Sequence, residues 1–108
     1  MNSEREQARI VLNEAEKRFS TEEKDAYLEY RLLRKQKAGK VMEIVHTFVP
    51  PTKRGLGLAS RLCVAAFSHA QSNQFSVIPT CSYVSDTFLP RNASWNSILF
   101  KEDPRSQM

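Results

Sequence analysis

An α+β domain is what the sequence predicts, on three observations. Short β-branched or aromatic segments parted by turn residues fill the first half, at 9–12, 17–19 and 41–49. Residues 58–73 carry apolar side chains at helical spacing. A further strand, 74–78, follows that helix, and helix-then-strand makes a right-handed crossover to a parallel neighbour. At 108 residues the chain is one domain, with room for a core that needs no disulfide or metal staples.

Residues 1–7 read as a solvated tail. Arg9-Ile10-Val11-Leu12 is a short strand, Asn13-Glu14 is turn-prone, and Lys17-Arg18-Phe19 pairs back across a tight hairpin. Residues 26–33 are aromatic-rich with imperfect alternation, which suits a strand. A helix over 21–37, opened by Thr21-Glu22-Glu23-Lys24, is the rival. Residues 34–40 form a basic turn with Gly39 at its end. A solvated hairpin tip explains these charges better than a nucleic-acid patch, because no aromatic residues interleave with them.

Strand 41–49 follows. Strict alternation places Ile44, His46 and Phe48 on one face and Val45, Thr47 and Val49 on the other, both apolar enough to be covered. Pro50-Pro51 ends it. The helix buries Leu58, Leu62, Ala65 and Ala66, widened by Cys63, Phe67 and Ala70, with His69 on the surface and Asn73 as its stop. Residues 82–89 are a short helix ended by Pro90. Past Trp95 the chain turns polar, with Trp95, Ile98, Leu99 and Phe100 available to tuck against the body.

The functional stretch lies where strand 43–49 passes through Lys53-Arg54-Gly55-Leu56-Gly57 into the helix at Leu58. A helix start leaves four N–H groups unpaired, and none of Gly55, Leu56 or Gly57 can cap them with a side chain. A bound phosphate is one partner for them; water, or Thr52 folding back, is the other reading. The net charge of +4 suits an anionic, nucleotide-bearing ligand without requiring nucleic acid. Two cysteines, Cys63 and Cys81, make no disulfide framework, and with two histidines there is no zinc set, so no metal is expected. The polar, acidic opening residues and the lack of a long apolar run argue for a cytoplasmic protein away from membranes. Ser106-Gln107-Met108 distantly resembles a peroxisomal address, which is the alternative.

Arg54-Gly55-Leu56-Gly57-Leu58-Ala59 resembles the Arg/Gln-x-x-Gly-x-Gly/Ala signature of the GNAT N-acetyltransferases. The wider strings, from His46-Thr47-Phe48-Val49-Pro50-Pro51 through Ala59 and then Pro79-Thr80-Cys81-Ser82-Tyr83-Val84, look like its very small single-domain branch. The string Val84-Ser85-Asp86-Thr87-Phe88-Leu89-Pro90-Arg91-Asn92 is similar to the plant proteins of that branch.

The resemblance implies a minimal acetyltransferase domain over 8–95, a tail over 96–108, and a mixed sheet in the order β-β-β-β-α-β-α. It therefore makes 26–33 a strand. It further implies acetyl-CoA as cosubstrate and an N-acetyltransferase acting on a primary amine, with a non-catalytic coenzyme A-binding module as the alternative. The implied cofactor-binding residues are Thr47, Phe48, Val49, Lys53, Arg54, Gly55, Leu56, Gly57, Leu58, Ala59, Ser82 and Arg91. Cys81, Tyr83 and His46 are the implied catalytic residues: Tyr83 as proton donor to the leaving sulfur, Cys81 as nucleophile or pocket wall, His46 as a base. Pro50 and Pro79 each remove a donor at a strand end, so the two strands should part there and leave backbone groups for the amides of a pantetheine arm. The chain lacks room for the two helices that roof the acceptor site in longer relatives, so an open site is expected, compatible with a small-molecule or protein amine such as a polyamine or a lysine; a monomer is expected as well.

Overall fold

Spatial order in the sheet repeats chain order: β1 (Ile10–Asn13), β2 (Arg18–Thr21), β3 (Tyr27–Lys35), β4 (Gly39–Phe48) and β5 (Ser76–Pro79) lie side by side in that sequence. The computed structural model describes residues 9–35 and 39–101. The tail 1–7, the hairpin tip at 36–38 and Ser106-Gln107-Met108 fall outside them. The first four strands form an antiparallel meander. Helix α1 (Leu58–Ser72) then crosses over and sets β5 parallel to β4.

The turns follow from their residues. Asn13 accepts a hydrogen bond from the Glu16 N–H at 3.0 Å, and Lys17 takes φ 59° to close the first hairpin. Thr21-Glu22-Glu23-Lys24 does not begin a helix. It is the β2–β3 turn, with the Lys24 N–H on the Thr21 carbonyl at 2.9 Å. The strand reading of 26–33 holds because Leu28 and Tyr30 alternate into the core while Tyr27, Glu29 and Arg31 point the other way.

Two expectations about β4 are corrected. Tyr30 pairs with Ile44 but Glu29 pairs with His46, so Val45 is an extra residue in a β-bulge. A bulge breaks strict alternation. Thr47, paired with the buried Leu28, joins the face of Ile44, whereas His46 and Phe48 move to the face of Glu43. The strand is covered on both sides only in its first half, where Val41 on the Glu43 face and Met42 on the Ile44 face are both fully buried. Among the described residues the helical segments pack on the Leu28–Tyr30–Ile44 face, leaving Phe48 and Val11 well exposed on the other.

On the covered face, Leu62, Cys63, Ala66, Phe67 and Ala70 of α1 are fully buried. Phe67 packs 5.5 Å from Phe88 and 5.6 Å from Trp95, ring centre to ring centre. Asn73 stops the helix as expected, its N–H and side-chain amide both donating to the His69 carbonyl at 3.1 and 2.8 Å. Beyond Trp95 the body continues: Leu99 bridges Val77 in parallel, and the Phe100 N–H donates to the Val77 carbonyl at 2.8 Å. No described helix is long and apolar enough to cross a membrane.

Burial pushes the Cys63 thiol up from 9.0 to about 12. A folded pKa above the unfolded one contributes stability that is complete below about 9 and is lost as pH rises toward 12. Alkaline melts should therefore show a decline between those pH values that is shallower in Cys63→Ala. Equal slopes in both proteins would remove Cys63 as the cause.

Candidate anion-binding and catalytic site

Pro50-Pro51, which ends β4, also begins a single 3₁₀ turn, Pro51–Lys53, where a missing N–H costs nothing. The Arg54 side chain folds back and donates from Nε to the Val49 carbonyl at 3.0 Å, tying the loop to the strand end. Gly55 and Gly57 then take φ 89° and 78°, a region that favours glycine. Gly57 is the N-cap of α1, and no side chain caps the helix, so Thr52 does not fold back onto it. The intrahelical ladder opens with the Arg61 N–H on the Gly57 carbonyl at 3.1 Å. The N–H groups before Arg61 face outward from a helix start with no acidic residue in its first turn.

A cavity of about 310 Å³ opens at this helix start. One wall is Val49, Lys53, Arg54, Gly55, Gly57, Leu58 and Ala59. The other is Tyr83, Thr87 and Arg91, four residues apart along the π-helical turn Val84–Phe88 and the α2 segment Leu89–Arg91 that continues it. Pro90 does not end this helix as the sequence suggests. The Leu89 N–H reaches back five residues to the Val84 carbonyl, and Pro90 sits in the first turn of α2, where proline is tolerated.

Lys53 lines the cavity, but its ammonium is held by carboxylates of the β2–β3 turn, Glu23 and Asp25, each at 2.6 Å. Hydrogen bonding to Lys53, then to Thr21, holds the Asp25 carboxyl below the usual range; Asp25, then Glu23, holds the Lys53 ammonium above its own.

The β4–β5 ladder ends where Pro79 pairs with Ile44, and the Cys81 N–H still donates to the Ile44 carbonyl at 2.9 Å. Past that point β4 runs on to Phe48, paired with β3 alone. The strands part, and Pro79 rather than Pro50 sets the place. The Cys81 thiol sits at the parting and donates to the Thr47 hydroxyl at 3.5 Å, on the helix-covered face. A helical turn begins directly after it, with the Val84 and Ser85 N–H groups on the Cys81 carbonyl at 3.0 and 3.2 Å. His46 is elsewhere: its ring lies 5.9 Å from Tyr27 on the open face, beside Phe48, itself 5.8 Å from Tyr27. Tyr83 is half-buried, and burial raises its phenol pKa, aided by Cys63 and opposed by Arg91.

Of the residues singled out from sequence, the structure gathers Val49, Lys53, Arg54, Gly55, Gly57, Leu58, Ala59, Tyr83 and Arg91 around one cavity. Thr47 and Cys81 meet at the strand parting, while Leu56, Ser82, Phe48 and His46 stand outside the cavity. Ser60 and Thr87 also line it and were missed. The spacing 83-87-91 is the signal that points to Thr87, since residues four apart share a helix face. The cavity offers cationic side chains and unpaired N–H groups, a donor set for a phosphorylated anion. Among the described residues no three of His, Cys, Asp and Glu cluster to hold a metal.

Comparison with known proteins agrees with this geometry. The sequence profile of the family described as GCN5-related N-acetyl-transferase matches residues 15–98. Among solved structures, the chain is similar to a GCN5-like protein of Staphylococcus aureus whose solution structure was determined by NMR. The TM-score is 0.58 at 21% identity, over 90% of this chain and 92% of that one. At that identity the likeness shows a shared fold.

Proposed function

The chain belongs to the GCN5-related N-acetyltransferase family, whose chemistry is acyl-CoA-dependent acetyl transfer, and on that premise we propose that it moves the acetyl group of acetyl-CoA to a primary amine. One observation carries the reading: the start of α1, uncapped by any side chain and preceded by Gly57 in the left-handed region, opens with Arg54 and Arg91 on the same cavity as Tyr83. Coenzyme A fits this donor set. The first-turn N–H groups of α1, Arg54 and Arg91 hold a pyrophosphate, with Gly55 and Gly57 leaving open space where a Cβ would stand. The backbone edge of β4 beyond Ile44, left without a β5 partner, suits the amides of a pantetheine arm. When bound, acetyl-CoA supplies a thioester activated toward an amine.

Tyr83 is the proton donor in this reading. A phenol is protonated at neutral pH and burial raises this one further, so Tyr83 has a proton to give to a departing thiolate. Thr47 holds the Cys81 thiol by hydrogen bond, and His46, on the other face of β4, is not the base that serves it. Cys81 in this reading shapes the sulfur end of the site, and transfer is direct. Tyr83→Phe should lower kcat about 100-fold while Cys81→Ala keeps near-normal turnover. A thioester on Cys81 after incubation with acetyl-CoA alone, with ping-pong kinetics, would reverse those roles.

The test of binding is the melting temperature. Coenzyme A at a hundredfold over Kd should stabilise the fold by about 2.7 kcal/mol, a rise of roughly 10–20 °C. An unchanged melt would remove the phosphate site. A raised melt with no release of free thiol in the presence of amines would leave a coenzyme A-binding module in place of an enzyme.

A further inference from the structure

Lys53 occupies an unusual place for a loop that receives an anion. It is the last residue of the 3₁₀ turn Pro51–Lys53 and directly precedes Arg54 and the Gly-Leu-Gly segment. Its ammonium is bonded to Glu23 Oε1 and Asp25 Oδ2, some thirty residues earlier in the chain, each at 2.6 Å. Asp25 is itself fixed, its Oδ1 accepting the Thr21 hydroxyl at 2.8 Å. Thr21 and Ala26, which bracket the turn, are buried and bonded to each other, with the Thr21 N–H on the Ala26 carbonyl at 3.0 Å and the Ala26 N–H on the Thr21 hydroxyl at 3.4 Å. The β2–β3 turn is thus a rigid post, and Lys53 is tied to it.

On the coenzyme A reading above, we propose that Asp25, with Glu23, is a positioning residue for the anion-binding loop, and that Lys53 is its tether and not a ligand of the phosphates. Two ties then hold the loop. Arg54 to the Val49 carbonyl fixes it to β4, and Lys53 to Asp25 fixes it to the β2–β3 turn. Between them they set where the Gly55 and Gly57 N–H groups stand before any ligand arrives, and preorganised donors bind more tightly than mobile ones. The two carboxylates more than offset the single Lys53 charge in the free protein, so the positive field at the helix start comes from Arg54, Arg91 and the N–H groups.

A charge swap separates tether from ligand. Lys53→Asp and Asp25→Lys, made singly, should each weaken coenzyme A binding about fivefold to tenfold and speed hydrogen exchange at the Lys53 and Arg54 amides, which donate to the Pro50 and Pro51 carbonyls. The double variant K53D/D25K restores a facing pair of opposite sign, and should recover most of the affinity and the protection. Lys53 as a phosphate ligand predicts the opposite: the swap, which puts a carboxylate at 53, binds worse than Lys53→Met. That result, or tighter binding in Asp25→Asn because the acid had been competing for Lys53, overturns the proposal. Amide exchange is read without ligand, so a wild type that fails to bind coenzyme A defeats the functional reading alone. Unaltered exchange in both single variants defeats the tether.

Discussion

Gly57→Asp should abolish coenzyme A binding while the protein stays folded. Gly57 caps α1 at φ 78°, and no atom lies within 4 Å of where its Cβ would be built, so the side chain enters open space. The left-handed backbone costs a non-glycine residue about 1–2 kcal/mol. A carboxylate beside the positive end of a helix recovers about 0.3–1 kcal/mol of that. The net effect on folding is small. Binding fares differently, because the carboxylate stands among the donors the pyrophosphate needs, and like charges brought together cost several kcal/mol, about 100-fold or more in Kd. Calorimetry with coenzyme A checks the affinity and circular dichroism the fold. Wild-type affinity in the variant would move the phosphate away from this helix start.

Phe67→Ala should be the most damaging single change to the fold. Phe67 has no exposed surface and joins α1 to the Val84–Phe88 turn through Phe88 and to the 3₁₀ segment Ala93–Ile98 through Trp95. Deleting a buried phenyl ring costs about 3–5 kcal/mol, against a total near 5–15 kcal/mol for a domain. The midpoint of thermal unfolding should fall by at least about 12 °C. Coenzyme A should restore part of that loss, since the cavity spans α1 and the segment after Tyr83. A fall below about 5 °C would mean the neighbouring rings close over the gap.

Much of the fold was legible because it rests on local patterns. The stripe of Leu58, Leu62, Ala66 and Ala70 on α1 is a matter of spacing, and Gly-Leu-Gly before it can be read as a start without a cap. The bulge at Val45 was not legible. It depends on how many residues β3 sets opposite β4, a count no single strand carries, and it turned His46 away from Cys81 and Thr47 toward it. The ties of Lys53 to Glu23 and Asp25 were hidden for a similar reason, since charge runs do not name their partners across thirty positions. Pro90 misled in a third way. Proline is a stop only where its absent N–H is needed, and the widened turn before α2 leaves it in a first-turn position.

A sheet whose spatial order copies its chain order also constrains how the molecule can assemble. Each antiparallel pairing joins neighbours through a short connection, so closing it sacrifices little chain entropy. The meander pairs neighbour to neighbour, whereas β5 meets β4 only across the α1 crossover, a longer loop that is slower to close. That pairing is the one whose end opens the strand parting and sets Cys81 beside Thr47. A chain whose β5 is not paired with β4 therefore lacks this strand parting, and the ligand site is complete only once that pairing is made.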